Sequence, residues 1–198
     1  MSAGLGRTGT DQGTTLIELL LVVVVVAVLC SFTAPVAADV VDASRVRHAA
    51  SFLTSRFRQA RQEAVNAATN VGIVFDLVGT RWSLRVCRDG TGNGLRRLEI
   101  QAGTDPCFEG PHELTALFPG VDIAVDPALR GPAGEPGSAD PVRFGSANML
   151  SFSPMGSCTA GSLFLRSRAG AQYVVRVGGG NGRVRVFRHE VANGWREQ

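Results

Sequence analysis

Residues 13–38 read GTTLIELLLVVVVVAVLCSFTAPVAA, and this stretch decides how the chain is organised. From Leu16 to Ala38 the residues are almost all apolar, and Glu18 is the only charged one. A span of this length can cross about 30 Å of hydrocarbon as a single helix. A carboxylate inside such a span costs about 2.5–3.5 kcal/mol on insertion scales, so Glu18 is a candidate functional residue.

A second interpretation of the same stretch is a cleaved secretory signal. The cleavage site would be Val36-Ala37-Ala38, before Asp39, and the product would be a soluble periplasmic protein. The apolar core of such a signal is about 7–15 residues long and should not contain a carboxylate. The longer run, with Glu18 near its start, therefore favours a retained membrane helix.

The order Gly13-Thr14-Thr15-Leu16-Ile17-Glu18 resembles the prepilin motif of the type IV pilin superfamily. In that superfamily a membrane enzyme, prepilin peptidase, cuts after the glycine on the cytoplasmic side and N-methylates the new first residue. The resemblance implies cleavage between Gly13 and Thr14, N-methylation of Thr14 and a helix kink at Pro35. One departure is Thr14 itself, because the superfamily usually has Phe at that position.

The superfamily also implies a role for Glu18 in assembly. Its charge would be satisfied by the amino terminus of a neighbouring subunit in a filament, which helps to set the stagger between subunits. The alternative is a carboxylate that snorkels to the lipid headgroups near the start of the helix.

Beyond the apolar span, the pattern predicts that the helix continues. Small or apolar residues recur every three or four positions between Asp42 and Thr69: Val46, Ala49, Leu53, Phe57, Ala60, Ala64 and Ala67. This is one face of an amphipathic helix that can pack on a sheet. The arginines off this face, such as Arg56 and Arg58, are interpreted as a solvated surface.

After Asn70 the apolar period changes from 3.6 to 2. Two alternating runs, 71–77 and 82–86, flank a turn at Gly79-Thr80, which predicts a hairpin with one buried face. Further predicted strands are Leu95–Ile100, Val121–Val125, Pro141–Phe144, Met149–Phe152, Ser162–Ser167, Gln172–Val177 and Arg183–Arg188. The segment Pro127–Asp140, rich in Pro and Gly, is predicted to be a surface loop.

The predicted fold class is therefore α+β. The organisation comprises a leader at 1–13, a transmembrane helix at 14–38, an amphipathic continuation at 39–70 and a β-rich head at 71–198.

From Phe52 to Trp195 the chain resembles the GspH/FimT pseudopilin family. The landmarks are Cys87–Gly94 (CRDGTGNG), Phe152–Gly156 (FSPMG), Gly161–Leu165 (GSLFL) and Gly182–Val186 (GRVRV). The resemblance implies a minor subunit of a type II secretion pseudopilus or a type IV pilus. Such a subunit is held in the inner membrane by one helix, with a periplasmic head, and its partners are other pilins or pseudopilins.

Some pilus-associated members of this family bind double-stranded DNA through a Gly-Arg-x-Arg motif, which Gly182–Arg185 matches. Arg183 and Arg185 would project to the same side of a strand, about 7 Å apart, which suits adjacent phosphates. The sequence from Pro141 to Gln198 has eight arginines and two acids, so this third of the chain is basic. The alternative is a solvated strand face in a chain whose basic residues are all arginine.

No catalytic residue, metal ligand or cofactor is predicted. The three histidines are scattered, and no nucleophile signature surrounds Cys158. Residues 89–94 begin like a calcium loop, but Ile100 stands where the bidentate Glu belongs, so a turn is the better interpretation.

The cysteines divide by compartment. Cys30 lies in the predicted span and is interpreted as a small buried apolar residue. Cys87, Cys107 and Cys158 would face an oxidising periplasm, which allows one disulfide. A bridge from Cys87 to Cys107 would close the longest irregular segment, but the two other pairings remain open.

Overall fold

The computed structural model describes residues 15–198, except the side chains of residues 31–39. The chain divides into two compact units, Met1–Asp39 and Val40–Gln198. The elements in chain order are α1 (Leu16–Asn66), β1 (Val71–Val78), β2 (Arg81–Arg88), α2 (Arg97–Ala102), β3 (Cys107–Glu113), α3 (Leu114–Leu117), β4 (Val121–Asp122), β5 (Val142–Arg143), β6 (Met149–Phe152), β7 (Gly161–Ser167), β8 (Gln172–Val177), β9 (Val184–Glu190) and β10 (Gly194–Glu197). The predicted α+β class is confirmed.

The described part of the first unit forms the beginning of α1. Glu18 lies in the first turn, and apolar side chains such as Leu20 and Val24 are exposed. Within the described residues, no helix combines the length and the apolarity needed to cross a membrane. The predicted cleavage site at Gly13 and Thr14 and the side chain of Pro35 lie outside the described residues.

In the second unit, the predicted apolar face of α1 forms one side of the core. Five side chains on this face have no exposed surface: Val46, Ala49, Leu53, Phe57 and Ala64. The helix ends at Asn66, so Ala67 lies beyond it instead of extending the stripe as predicted. The reason is local, because Ala68 takes a left-handed conformation (φ 50°) that a helix cannot continue through.

Two antiparallel sheets complete this core. The first has the order β3-β2-β1-β6, and the second has the order β10-β9-β8-β7-β4, with β5 also paired to β7. Alternate residues of β1, such as Ile73 and Phe75, pack against α1, which is the face that the period of two predicted. The hairpin of β1 and β2 is confirmed, with Val71 opposite Arg88. Its single buried face is not, because Val74 on the other face of β1 is also buried, in a cluster with Ile100 and Met149.

Several strand boundaries differ from those predicted, and one element is of the wrong type. The predicted strand Leu95–Ile100 is wrong, because Arg97–Ala102 forms α2, which ends at Gly103 in a left-handed conformation. Tertiary contacts accompany the helix: Ile100 is buried, and the Arg97 guanidinium donates hydrogen bonds to the carbonyls of Phe75 and Ala147. Strands β3 and β10 were not predicted, since neither has an alternating apolar pattern in the sequence.

The outer face of the second sheet carries a smaller apolar cluster. Phe164 and Val174 pack there with Phe187 and Trp195. The predicted loop Pro127–Asp140 contacts this face, because the Trp195 indole donates to the carbonyl of Arg130 and Glu135 pairs with Arg176. The two faces of the sheet therefore serve different purposes: one belongs to the main core and the other holds a loop.

Candidate functional site

A groove of about 840 Å³ lies within the second unit, between the exposed flank of α1 and the last two strands. The helix contributes Arg58, Arg61, Gln62 and Val65. Arg61 and Gln62 follow Arg58 by three and four positions and precede Val65 by four and three, so the four residues share one stripe of the helix. The strand side contributes the turn before β9, the first residues of β9, and the chain end at Glu197 and Gln198. Three other concavities of the second unit are smaller, with volumes of about 370, 380 and 220 Å³.

The other flank of α1 contrasts with the groove. There Arg56 pairs with Glu109 of β3 at 2.5 Å, and Glu63 pairs with Arg88 of β2. These ion pairs join the helix to the first sheet and neutralise the charges on that side. The helix thus has one flank whose charges are matched by acids and a second flank whose arginines face the groove.

The strand side is shaped by Gly182. This residue has φ 60°, and a Cβ placed on it would lie 3.1 Å from Nε of Arg61 and 3.2 Å from the carbonyl oxygen of Gly156. A side chain at this position would displace Arg61, so the glycine lets the arginine lie close against the turn. The Oδ1 atom of Asn181 accepts a hydrogen bond from the backbone N–H of Arg183 and holds the turn.

Four arginines line the groove: Arg58, Arg61, Arg183 and Arg185. Among the described residues, no carboxylate lies within ion-pair distance of the first three, and Arg185 is 3.9 Å from Glu197. Pairs at this distance on an exposed surface contribute little. The groove is therefore a concave surface with an excess of positive charge.

The structure defines the register of the predicted Arg183–Arg185 pair. Arg185 lies opposite Arg176 of β8, and Arg183 precedes the first residue of β9. Arg176 is neutralised by Glu135 of the loop, so it adds no free charge to the motif. Arg58 and Arg61 were missed as partners of the motif, although their spacing of three on the polar face of the helix was visible.

The segment between Cys87 and Cys107 is organised by a buried carboxylate. Asp89 is 4% exposed, and it accepts hydrogen bonds from the backbone N–H groups of Thr91, Gly92 and Gly94 and from the Asn70 amide. Burial raises the pKa of Asp89, but the hydrogen bonds from Asn70, Gly94, Thr91 and Gly92 outweigh it and lower the pKa to about 2. The carboxylate oxygens of Asp89 face hydrogen-bond donors, so this segment is a turn that folds around the Asp89 carboxylate.

Replacing Asp89 with asparagine should lower the free energy of unfolding by about 2 kcal/mol at neutral pH. The pKa of Asp89 is lower in the folded chain, so its contribution is present above about pH 4 and is lost as the pH falls towards 2. The difference in the free energy of unfolding between the parent and the variant should therefore be smaller at low pH. Urea unfolding of both proteins at pH 7 and at pH 3 measures this difference. Asp126→Asn is the matched control, because Asp126 accepts one N–H in an exposed turn. A deficit independent of pH would contradict the assignment.

The structure places the cysteines in distinct environments. Cys87 and Cys107 lie opposite each other on β2 and β3 and form a disulfide. Cys158 is a free thiol beside the groove that donates to the carbonyl of Gly178. Burial raises the pKa of the Cys158 thiol above its usual range, although the neighbouring Arg61 lowers it. Cys30 lies in α1 with an exposed side chain, and its burial in a membrane span stays a prediction.

Similarity to known proteins identifies the family of the chain. A search of curated proteins and a search of solved structures found no match to the chain. The family model of the type II transport protein GspH matches residues 49–182, which is more than half of the chain. The matched region runs from the core face of α1 to the glycine that shapes the groove. The chain therefore belongs to the GspH family of type II transport proteins, the GspH/FimT pseudopilins.

Proposed function

We propose that this protein is a minor pseudopilin that enters a type II secretion pseudopilus through the beginning of α1 and uses its head to contact other subunits. The observation that carries the proposal is the GspH family match, together with the prepilin-like sequence that precedes it. In this proposal residues 14–38 anchor the chain in the inner membrane and the head lies in the periplasm. Prepilin peptidase releases the leader between Gly13 and Thr14 and methylates Thr14, and Pro35 kinks the helix.

The proposal assigns the assembly role to Glu18. Its carboxylate lies in the first turn of α1, at the end of the chain where the new amino terminus of each mature subunit would be. In an apolar environment such a charge needs a partner of opposite sign. The amino terminus of a neighbouring subunit supplies one and fixes the axial stagger at the same time.

Glu18→Ala should leave cleavage after Gly13 intact but reduce incorporation into the filament by about tenfold or more, because the amino terminus loses its partner. Crosslinking of the mature variant to partner pseudopilins in membranes measures this. Leu19→Ala is the matched control, since it removes apolar surface from the same turn without changing charge. Gly13→Val should instead leave a full-length precursor. Normal incorporation of Glu18→Ala would remove the assembly role, and a mature chain starting at Asp39 would replace the whole proposal with a secreted product.

A deletion strain distinguishes the two kinds of filament in which such a subunit serves. Loss of exoprotein secretion alone places the protein in a secretion pseudopilus, as proposed. Loss of twitching motility places it in a type IV pilus, and loss of DNA uptake supports the second proposal below.

Binding of double-stranded DNA through Arg183 and Arg185 remains a second proposal. It is supported by the exposed position of Arg183 and by the nearby Arg58 and Arg61, which add two cations to the motif. It is weakened by Glu197 beside Arg185 and by Glu135 on Arg176. Arg183→Gln with Arg185→Gln should weaken the binding of a short DNA duplex and flatten its salt dependence. The absence of duplex binding by the parent chain at about 50 mM salt would end this proposal.

A further inference from the structure

The groove is bordered by an open strand edge. Strand β10 pairs with β9 only from Phe187 to Glu190, and the N–H of Gln198 then donates to the carbonyl of Val186. Alternate residues of an antiparallel strand direct their backbone groups to the same side. Val184 therefore presents its N–H and C=O to that side as well, and in the part of the chain that the structure describes no strand lies there.

We propose that the groove binds an extended, acidic segment of a partner subunit, which adds as a short strand to the edge of β9 at Val184. Open edges are templates for such addition, and main-chain hydrogen bonds give it affinity. Glutamate or aspartate side chains of the segment then pair with Arg58 and Arg61 on the helix side of the groove. Guanidinium and carboxylate groups match in geometry, so the charges also select the partner.

The chemistry of the edge favours a peptide over DNA. The strand edge at Val184 offers one N–H and one C=O. A peptide can match both groups, because it carries donors and acceptors in alternation, whereas the phosphates of a duplex only accept hydrogen bonds. Arg61 lines the groove and lies against Gly156 and Gly182. A volume of about 840 Å³ is that of a ligand cleft, which a single extended chain can enter.

The identity of the partner, another subunit of the same assembly, rests on the proposed function. The binding itself does not depend on Glu18 or on cleavage. A test on the purified chain can therefore fail while the incorporation experiment succeeds, and the reverse is also possible.

The test uses the full-length chain in a neutral detergent and a fluorescent short peptide of alternating Glu and Val, read by anisotropy. Arg58→Gln with Arg61→Gln should weaken binding of this peptide by about tenfold, and added salt should weaken it further. Arg47→Gln with Arg188→Gln is the matched control, because both are exposed arginines on the same helix and strand but outside the groove. A peptide of alternating Gln and Val should bind at least tenfold more weakly.

A second variant separates strand addition from simple charge attraction. Val184→Pro removes an N–H that points away from β8, and proline is tolerated at such edge positions. It should weaken binding of the acidic peptide while leaving all groove arginines in place. A short DNA duplex titrated in parallel should bind more weakly than the peptide and should not respond to Val184→Pro. The proposal is overturned if the acidic peptide binds no better than the neutral one, if the duplex binds more tightly, or if Val184→Pro has no effect on the peptide.

Discussion

Phe57→Ala should lower the free energy of unfolding by about 3–5 kcal/mol, the range for removal of a fully buried aromatic side chain. Phe57 has no exposed surface, and its ring meets those of Phe75 and Phe144 edge-on, with centroids 6.4 and 6.1 Å away. Phe75 belongs to β1 and Phe144 follows β5, so one ring of the helix is packed against both sheets. Truncation removes this contact and leaves a cavity that the two stacked rings cannot fill without moving.

Chemical denaturation of the purified full-length chain measures this effect. Phe108→Ala is the matched control, because the Phe108 ring is about half exposed and contacts Arg88. This substitution should lower the free energy of unfolding by less than about 1 kcal/mol. Equal effects of the two substitutions would mean that the helix is not docked on both sheets through Phe57.

Removal of the Cys87–Cys107 disulfide should lower the free energy of unfolding by about 3 kcal/mol, the second largest effect that we expect on stability. The two cysteines are 20 positions apart, and the estimate follows from the chain entropy that a loop of this length recovers in the unfolded state. The double variant Cys87→Ala with Cys107→Ala is preferred, since a single change would leave a thiol able to pair with Cys158. Thermal or urea unfolding with and without reductant is the measurement.

Two controls make this prediction specific. Cys158→Ala should change stability by less than about 1 kcal/mol, because Cys158 forms no disulfide and is half-buried. Reductant should destabilise the parent chain and leave the double variant unaffected. If the double variant unfolds at the same denaturant concentration as the oxidised parent, the bridge does not stabilise the head.

Much of the fold could be predicted because it follows from local periodicity. The face of α1 that includes Leu53 and Phe57 repeats every three or four residues, and the hairpin of β1 and β2 repeats every two, so each shows which side faces the core. In each case the decisive information lies within about 20 neighbouring residues.

Elements without a local period were predicted less well. Leu95–Ile100 was predicted as a strand, whereas Arg97–Ala102 is helical and Arg97 contacts residues far away in the sequence. Strand β3 carries Glu109 and Pro111 and shows no alternation, so its place beside β2 depends on pairing and on the disulfide. A short edge element gains little from its own pattern, and its conformation is decided by what it packs against.

The sequence by itself determined the family resemblance, the α+β class, the core face of the helix and the candidate residues Glu18, Arg183 and Arg185. These depend on motifs and periods that are continuous along the chain. Only the tertiary structure decided that Arg58 and Arg61 share a groove with the strand motif, while Arg176 is neutralised by Glu135. The physical reason is that charges act through space: whether an arginine is paired or available depends on which acid the fold brings within a few ångströms, and the sequence pattern does not contain that distance.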